Sequence, residues 1–261
     1  MSDIVSIETD GRIAIVRFDR GDKANALNAR AIADLTEAAR SLHDRPDLSA
    51  VILAGRAENF CMGADLKERS GAARQGLADR RVSLRAGPRL CQAWEEVDAL
   101  TICAIEGWCV GGGAALAAAC DLRVMAASAT YYVPEIARGM NMTWGTVPRL
   151  TALIGPARTK RIVALCEKVG AETAEEWGLA DKRAADGGAV EAARGFADAA
   201  AELPPTPLKM TKHDVNIAAH ALLRATSHRE MDAFALTETS DDLAEGVAAF
   251  LEKRAPKFTG N

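Results

Sequence analysis

Aromatic residues are scarce: four Trp, two Tyr and six Phe, 5% of 261 residues. A core here must be built from small and aliphatic side chains. No run approaches about 20 apolar residues free of charge, so no membrane-spanning helix is expected. There is no basic block either. The 32 basic and 36 acidic residues leave a net charge of −4, which disfavours a nucleic-acid partner held by phosphate attraction. Cysteines 61, 91, 103, 109, 120 and 166 contain no CxxC pair, which fits reduced thiols in the cytoplasm rather than disulfides or zinc. His213 and His220 stand seven apart with no third ligand nearby, so no metal is expected. The opening MSDIVSIETDG lacks the basic start and apolar run of a signal peptide. Neither GxxxxGK[ST] nor GxSxG occurs, which argues against P-loop and α/β-hydrolase chemistry.

What remains is a chain 49% hydrophobic and 26% charged, the composition of a globular protein. Its length allows one large domain, or a domain with an appendage. Residues 3–8 and 12–19 read as a hairpin. Asn28 is placed to cap a helix carrying Ile32, Leu35, Ala39 and Leu42 at helical spacing. AVILA (50–54), Thr101–Ile105 and Leu122–Ala126 are predicted strands, and Ala114–Ala119 a helix. Residues 66–99 read as helical in their second half, with a glycine-interrupted, mobile first half. From about residue 156 the pattern is almost entirely helical. The predicted class is α/β, with a core over 1–200 and a helical region over 201–261.

Two segments put small residues where a strand gives way to a helix. One is Asn59–Leu66 (NFCMGADL); the other is Glu106–Ala114 (EGWCVGGGA). Helix starts offer unpaired N–H groups, and glycine lets a ligand oxygen approach the backbone. Two such donors on one oxygen make an oxyanion hole. Tight turns alone would also explain the glycines. A dinucleotide-binding turn does not fit, because Leu116 breaks the GxGxxG spacing. Glu135, directly after Pro134 in an apolar stretch, is a candidate proton-transfer group, since desolvation there would raise its pKa. Cys61 and Cys109 have no histidine close in sequence, so nucleophilic catalysis is not expected.

Together these segments resemble the enoyl-CoA hydratase/isomerase (crotonase) superfamily over nearly the whole chain. The resemblance is carried by KANALN (23–28), FCMGADL (60–66), EGWCVGGGAALAAACDLRVMA (106–126), VPEIARGM (133–140), the run PRLTALIGPARTK from Pro148, and FLEKRAPKF (250–258). It implies a crotonase-like spiral of β-β-α units in two sheets, with a helical C-terminal trimerisation region. It also implies a homotrimer or dimer of trimers, and an acyl-CoA substrate whose thioester needs no separate cofactor. The Ala64 and Gly112 N–H groups would hold the thioester oxygen and Glu135 would move the proton. Lys23, Ala24, Met62, Gly63, Asp65, Leu66, Gly111 and Pro134 would border the substrate. Lys257 and Phe258 would contribute from a neighbouring subunit.

One departure shapes the expected reaction. Family hydratases carry a glutamate two residues after the glycine triplet; here that position is Ala115. Hydration suits two carboxylates, whereas a single one suits moving a proton between carbons. The expectation is therefore a Δ3-to-Δ2 enoyl-CoA isomerase. The alternatives are a hydratase or hydratase-lyase, including one for aromatic enoyl-CoAs, a decarboxylase, and a CoA-ester-binding protein without catalysis. Thr143 replaces the aspartate of dienoyl isomerases. Trp144 stands where small residues are usual, either narrowing the acyl pocket or serving as a core aromatic at a helix start.

Overall fold

The computed structural model describes residues 3–65, 76–221 and 223–261. The first half of the stretch predicted to be mobile lies largely outside them. β1 (Val5–Asp10) and β2 (Ile13–Phe18) form the predicted antiparallel hairpin. The Asn28 side chain caps α1 (Ala29–His43) by accepting from the Ala31 N–H at 2.9 Å, satisfying one otherwise unpaired donor of the first turn. β3 (Ala50–Ala54), α2 (Leu77–Leu84), α3 (Ala86–Glu95), β4 (Leu100–Ile105), β5 (Trp108–Val110), α4 (Gly112–Ala119) and β6 (Leu122–Ala126) follow. Next come β7 (Thr130–Tyr132) and a single 3-10 turn, Ile136–Arg138. α5 (Thr146–Val163) is broken at Gly155. β8 (Val169–Gly170), α6 (Ala171–Trp177), β9 (Lys182–Ala184) and α7 (Ala189–Ala201) complete the core. α8 (Pro205–Ala219), α9 (Leu223–Thr237) and α10 (Asp241–Glu252) form the helical end.

The large sheet runs β1-β2-β3-β4-β6-β9, and a smaller one runs β5-β7-β8. The reading of helices alone after about 156 is corrected here. β8 and β9 are two- and three-residue strands, too short to leave an alternation. β9 pairs parallel to β6 at the sheet edge.

The wholly buried AVILA strand explains the layering. Val51 and Leu53 face a core shared with Leu35, Leu90, Trp94 and the alanines of α4. Ala50, Ile52 and Ala54 face the opposite side, where α7 presents Ala189, Ala193, Ala197 and Ala200. Side chains alternate across a strand, so a sheet covered on both faces reads as a continuous apolar run. Small residues on α7 let it lie close to the sheet, and those on α4 let it pack against α3 and α5, which is how so few aromatics suffice. Trp94 ties α3 to α1 by donating its indole N–H to Leu35 O at 3.2 Å. Among the described residues no helix is long and apolar enough to cross a membrane.

Candidate active site

Backbone hydrogen bonds lay the two glycine-bearing segments side by side. Cys61 N–H donates to Trp108 O at 2.9 Å, and Val110 N–H to Cys61 O at 2.8 Å. On the other edge, Leu27 N–H donates to Gly63 O at 2.8 Å and Asp65 N–H to Leu27 O at 3.0 Å. Asn25 locks this corner. Fully buried, it donates to Phe18 O and Phe60 O at 3.1 and 3.0 Å and accepts from Arg20 N–H. In a parallel bridge between Leu27 and Ala64, the pairing groups at this edge belong to Gly63 and Asp65. The Ala64 N–H thus faces away from it. Neither that N–H nor the Gly112 N–H at the start of α4 has an acceptor among the described residues.

Glu135 is delivered by a second anchoring. Gly111 N–H donates to Tyr132 O at 2.9 Å, and the buried Tyr131 hydroxyl donates to Ala114 O at 2.7 Å. These bonds pin the Val133-Pro134-Glu135 corner to the start of α4. Gly111 has φ 51° and no side chain; a methyl there would collide with the Glu135 carboxylate. Glycine is needed for both reasons.

A cavity of about 680 Å³ opens over these groups. It brings together Gly63, Ala64, Asp65, Gly111, Gly112, Glu135 and Trp144 from the sequence reading. Asp65 is held by Arg20 at 3.0 Å. Leu66 lies outside the described residues. Lys23 and Ala24 are exposed beside the site, their carbonyls accepting from the Asn59 side chain at 2.7 Å and Met62 N–H at 2.9 Å. Met62 is exposed and Pro134 buried; neither lines the cavity. Lys257 and Phe258 are not brought to it. Their tail folds on α10, where Lys257 N–H donates to Glu245 at 2.7 Å.

The thiols flanking the site are inert by environment. Burial pushes Cys61 up to about 12 and raises Cys109 well above its ordinary value, so neither supplies a thiolate.

Trp144 is half-buried, with its ring against Gly112; a methyl on Gly112 would stand 2.8 Å from it. Gly87 of α3 leaves the room for the indole. Its φ of 64° is a left-handed conformation that costs about 1–3 kcal/mol for a residue with a side chain. The surroundings impose it. Arg149 donates to Trp144 O at 2.8 Å, and Gly145 N–H donates to Glu230 at 2.8 Å. Arg149 is itself held by Glu95 at 2.7 Å, and His220 Nδ1 lies 3.2 Å from the same oxygen. Burial raises Glu230. In Glu95 burial acts the same way, but His220 and Arg149 outweigh it and hold the carboxyl below its ordinary value.

Several lining residues carried no sequence signal: Arg80, Ser83 and Leu84 of α2, Met231 and Phe234 of α9, and Glu238 just beyond it.

The two-sheet core with its stitched glycine segments is that of a crotonase-fold protein. A solved enoyl-CoA hydratase/isomerase from Pseudoalteromonas atlantica T6c superposes with a TM-score of 0.87 at 23% identity, covering 98% of this chain and 100% of that one. A model of the enoyl-CoA hydratase/isomerase family matches residues 8–261, and the chain belongs to that family. A probable enoyl-CoA hydratase (echA8) of Mycobacterium bovis is 32% identical over 98% of this chain and 97% of its own. A short-chain-enoyl-CoA hydratase of Clostridium acetobutylicum is 26% identical over 96% and 95%. Both are named for hydration, whereas Ala115 led to an expectation of isomerisation.

Proposed function

We propose that this protein is an enoyl-CoA hydratase working through a thioester enolate, with Glu135 as its one acid–base group. The observation that carries the reading is the Glu135 carboxylate set against Gly111, one residue from the unpartnered Gly112 N–H, inside the cavity. The Ala64 and Gly112 N–H groups donate to the thioester oxygen. Water adds to the β carbon as Glu135 takes its proton, and the π electrons move onto the thioester oxygen. The enolate then collapses and Glu135 returns that proton to the α carbon. Ala115 is fully buried on α4, so the second carboxylate of two-glutamate hydratases has no counterpart there, and one group serves both steps. Holding the oxyanion in a water-poor site is what makes so weak a base sufficient. Lys23, Ala24 and Met62 border the CoA arm. Trp144 walls the acyl group beside the hole. The activation comes from the thioester itself, with no further cofactor. A homotrimer, with Lys257 and Phe258 reaching a neighbour's CoA, is part of the same proposal.

The names of the relatives support hydration; Ala115 favours the second reading, a Δ3-to-Δ2 isomerase. The deciding measurement supplies crotonyl-CoA and a 3-enoyl-CoA in D2O and follows conjugated-thioester absorbance and products by NMR. Formation of 3-hydroxyacyl-CoA, lost in Glu135→Gln, is expected. Conversion of the 3-enoyl to the 2-enoyl ester with no hydroxy product would replace hydration by isomerisation.

A further inference from the structure

On α2, Arg80, Ser83 and Leu84 stand at i, i+3 and i+4. Met231, Phe234 and Glu238, across from them, stand at i, i+3 and i+7, and all six line the cavity. Such spacings place residues on one helical face. The two faces are joined by an ion pair between Arg80 and Glu238, whose side chains are 42% and 8% exposed. A nearly buried carboxylate thus lines the cavity together with the apolar side chains of Leu84, Met231 and Phe234.

We propose that the Arg80–Glu238 pair is a charged stop that sets the length of acyl chain the site accepts. The inference rests on the reading of this cavity as the CoA-ester site. An apolar tail gains from each methylene it buries against Leu84, Met231 and Phe234. A tail long enough to press on the ion pair strips water from the part-exposed Arg80 guanidinium and returns no hydrogen bond, which reverses the gain. Chains that end before the pair are favoured over chains that reach it.

The test is a series of saturated acyl-CoA esters from C4 to C16, binding measured by calorimetry, with turnover of the matching 2-enoyl esters in parallel. In the wild type, affinity should rise about fourfold per methylene and then break to flat or falling within the series. In the double variant Arg80→Met, Glu238→Met the charge is gone with volume roughly kept. Replacing a whole pair by apolar groups avoids stranding one buried charge. There the rise should continue past the wild-type break, by about fourfold for each of the next two methylenes. An unbroken rise in the wild type overturns the proposal, as does a break at the same length in the variant. If that variant does not fold, Arg80→Leu, Glu238→Leu, equally without charge, is read the same way. A break in binding without any turnover upholds the stop and defeats the hydratase reading; no binding at any length defeats both.

Discussion

Two walls of the cavity are made in different ways. At its chemical end, in the proposed mechanism, the working groups are backbone N–H donors and one carboxylate, held by main-chain bonds between β5, the segment after β3, and the start of α4. Another wall is made of side chains from two helices whose sequence positions lie about 150 residues apart. Backbone donors cannot be altered by ordinary substitution, whereas helix-face side chains can be exchanged one at a time. On the proposed reading the chemistry is therefore resistant to sequence drift and the acyl preference open to it. Trp144 lines the same cavity, a side chain forced into place by the packing around it.

Breaking the chemical end should have the largest effect. Glu135→Gln is expected to lower kcat by about 10²–10⁴-fold with an unchanged melting temperature; steady-state kinetics beside thermal melting check it. The Trp144 wall comes next. Arg149→Met leaves the buried Glu95 with His220 alone beside it and frees the Trp144 carbonyl. Breaking such a pair costs about 3–5 kcal/mol, read by denaturant unfolding. Gly87→Ala pushes a methyl into the Trp144 ring and should destabilise by about 1–3 kcal/mol. A double-mutant cycle with Trp144→Leu should recover most of that loss; additive losses would mean that the indole is not what the methyl meets. The smallest effect is in pH. Glu95 has a lowered folded pKa, so its contribution is full above the ordinary carboxylate range and fades as pH falls through the folded value. Glu95→Gln should lose stability at neutral pH, with the gap to wild type closing in acid.

The same contrast explains what could be read without coordinates. NFCMGADL and EGWCVGGGA are local strings that present backbone donors and VPE one that presents a carboxylate, and residues of all three line one cavity. The Asn28 cap and the AVILA strand were equally legible, though not the strand's cover on both faces. Trp144 was left between pocket wall and core aromatic, because its position depends on Gly87, Arg149 and Glu230, which no local pattern links to it. Nothing in the local sequence links Arg80 to Glu238, since spacing reveals a face and not its partner. β8 and β9 are too short to form a period. The choice between isomerase and hydratase turned on Ala115, where an absent carboxylate weighs against the naming of the relatives.

The packing of α10 has a bearing on how the protein is made. A methyl on Gly139 would strike the Asp242 carbonyl, and one on Gly246 would strike the backbone of Arg138, whose guanidinium lies 4.3 Å over the Phe250 ring. The turn that carries Glu135 is thus clamped by residues made more than a hundred positions later. During synthesis, Glu135 leaves the ribosome well before the helix that packs on its turn. A nascent chain stalled before about residue 240 would carry all the segments of the proposed site and lack the clamp on the turn that bears Glu135.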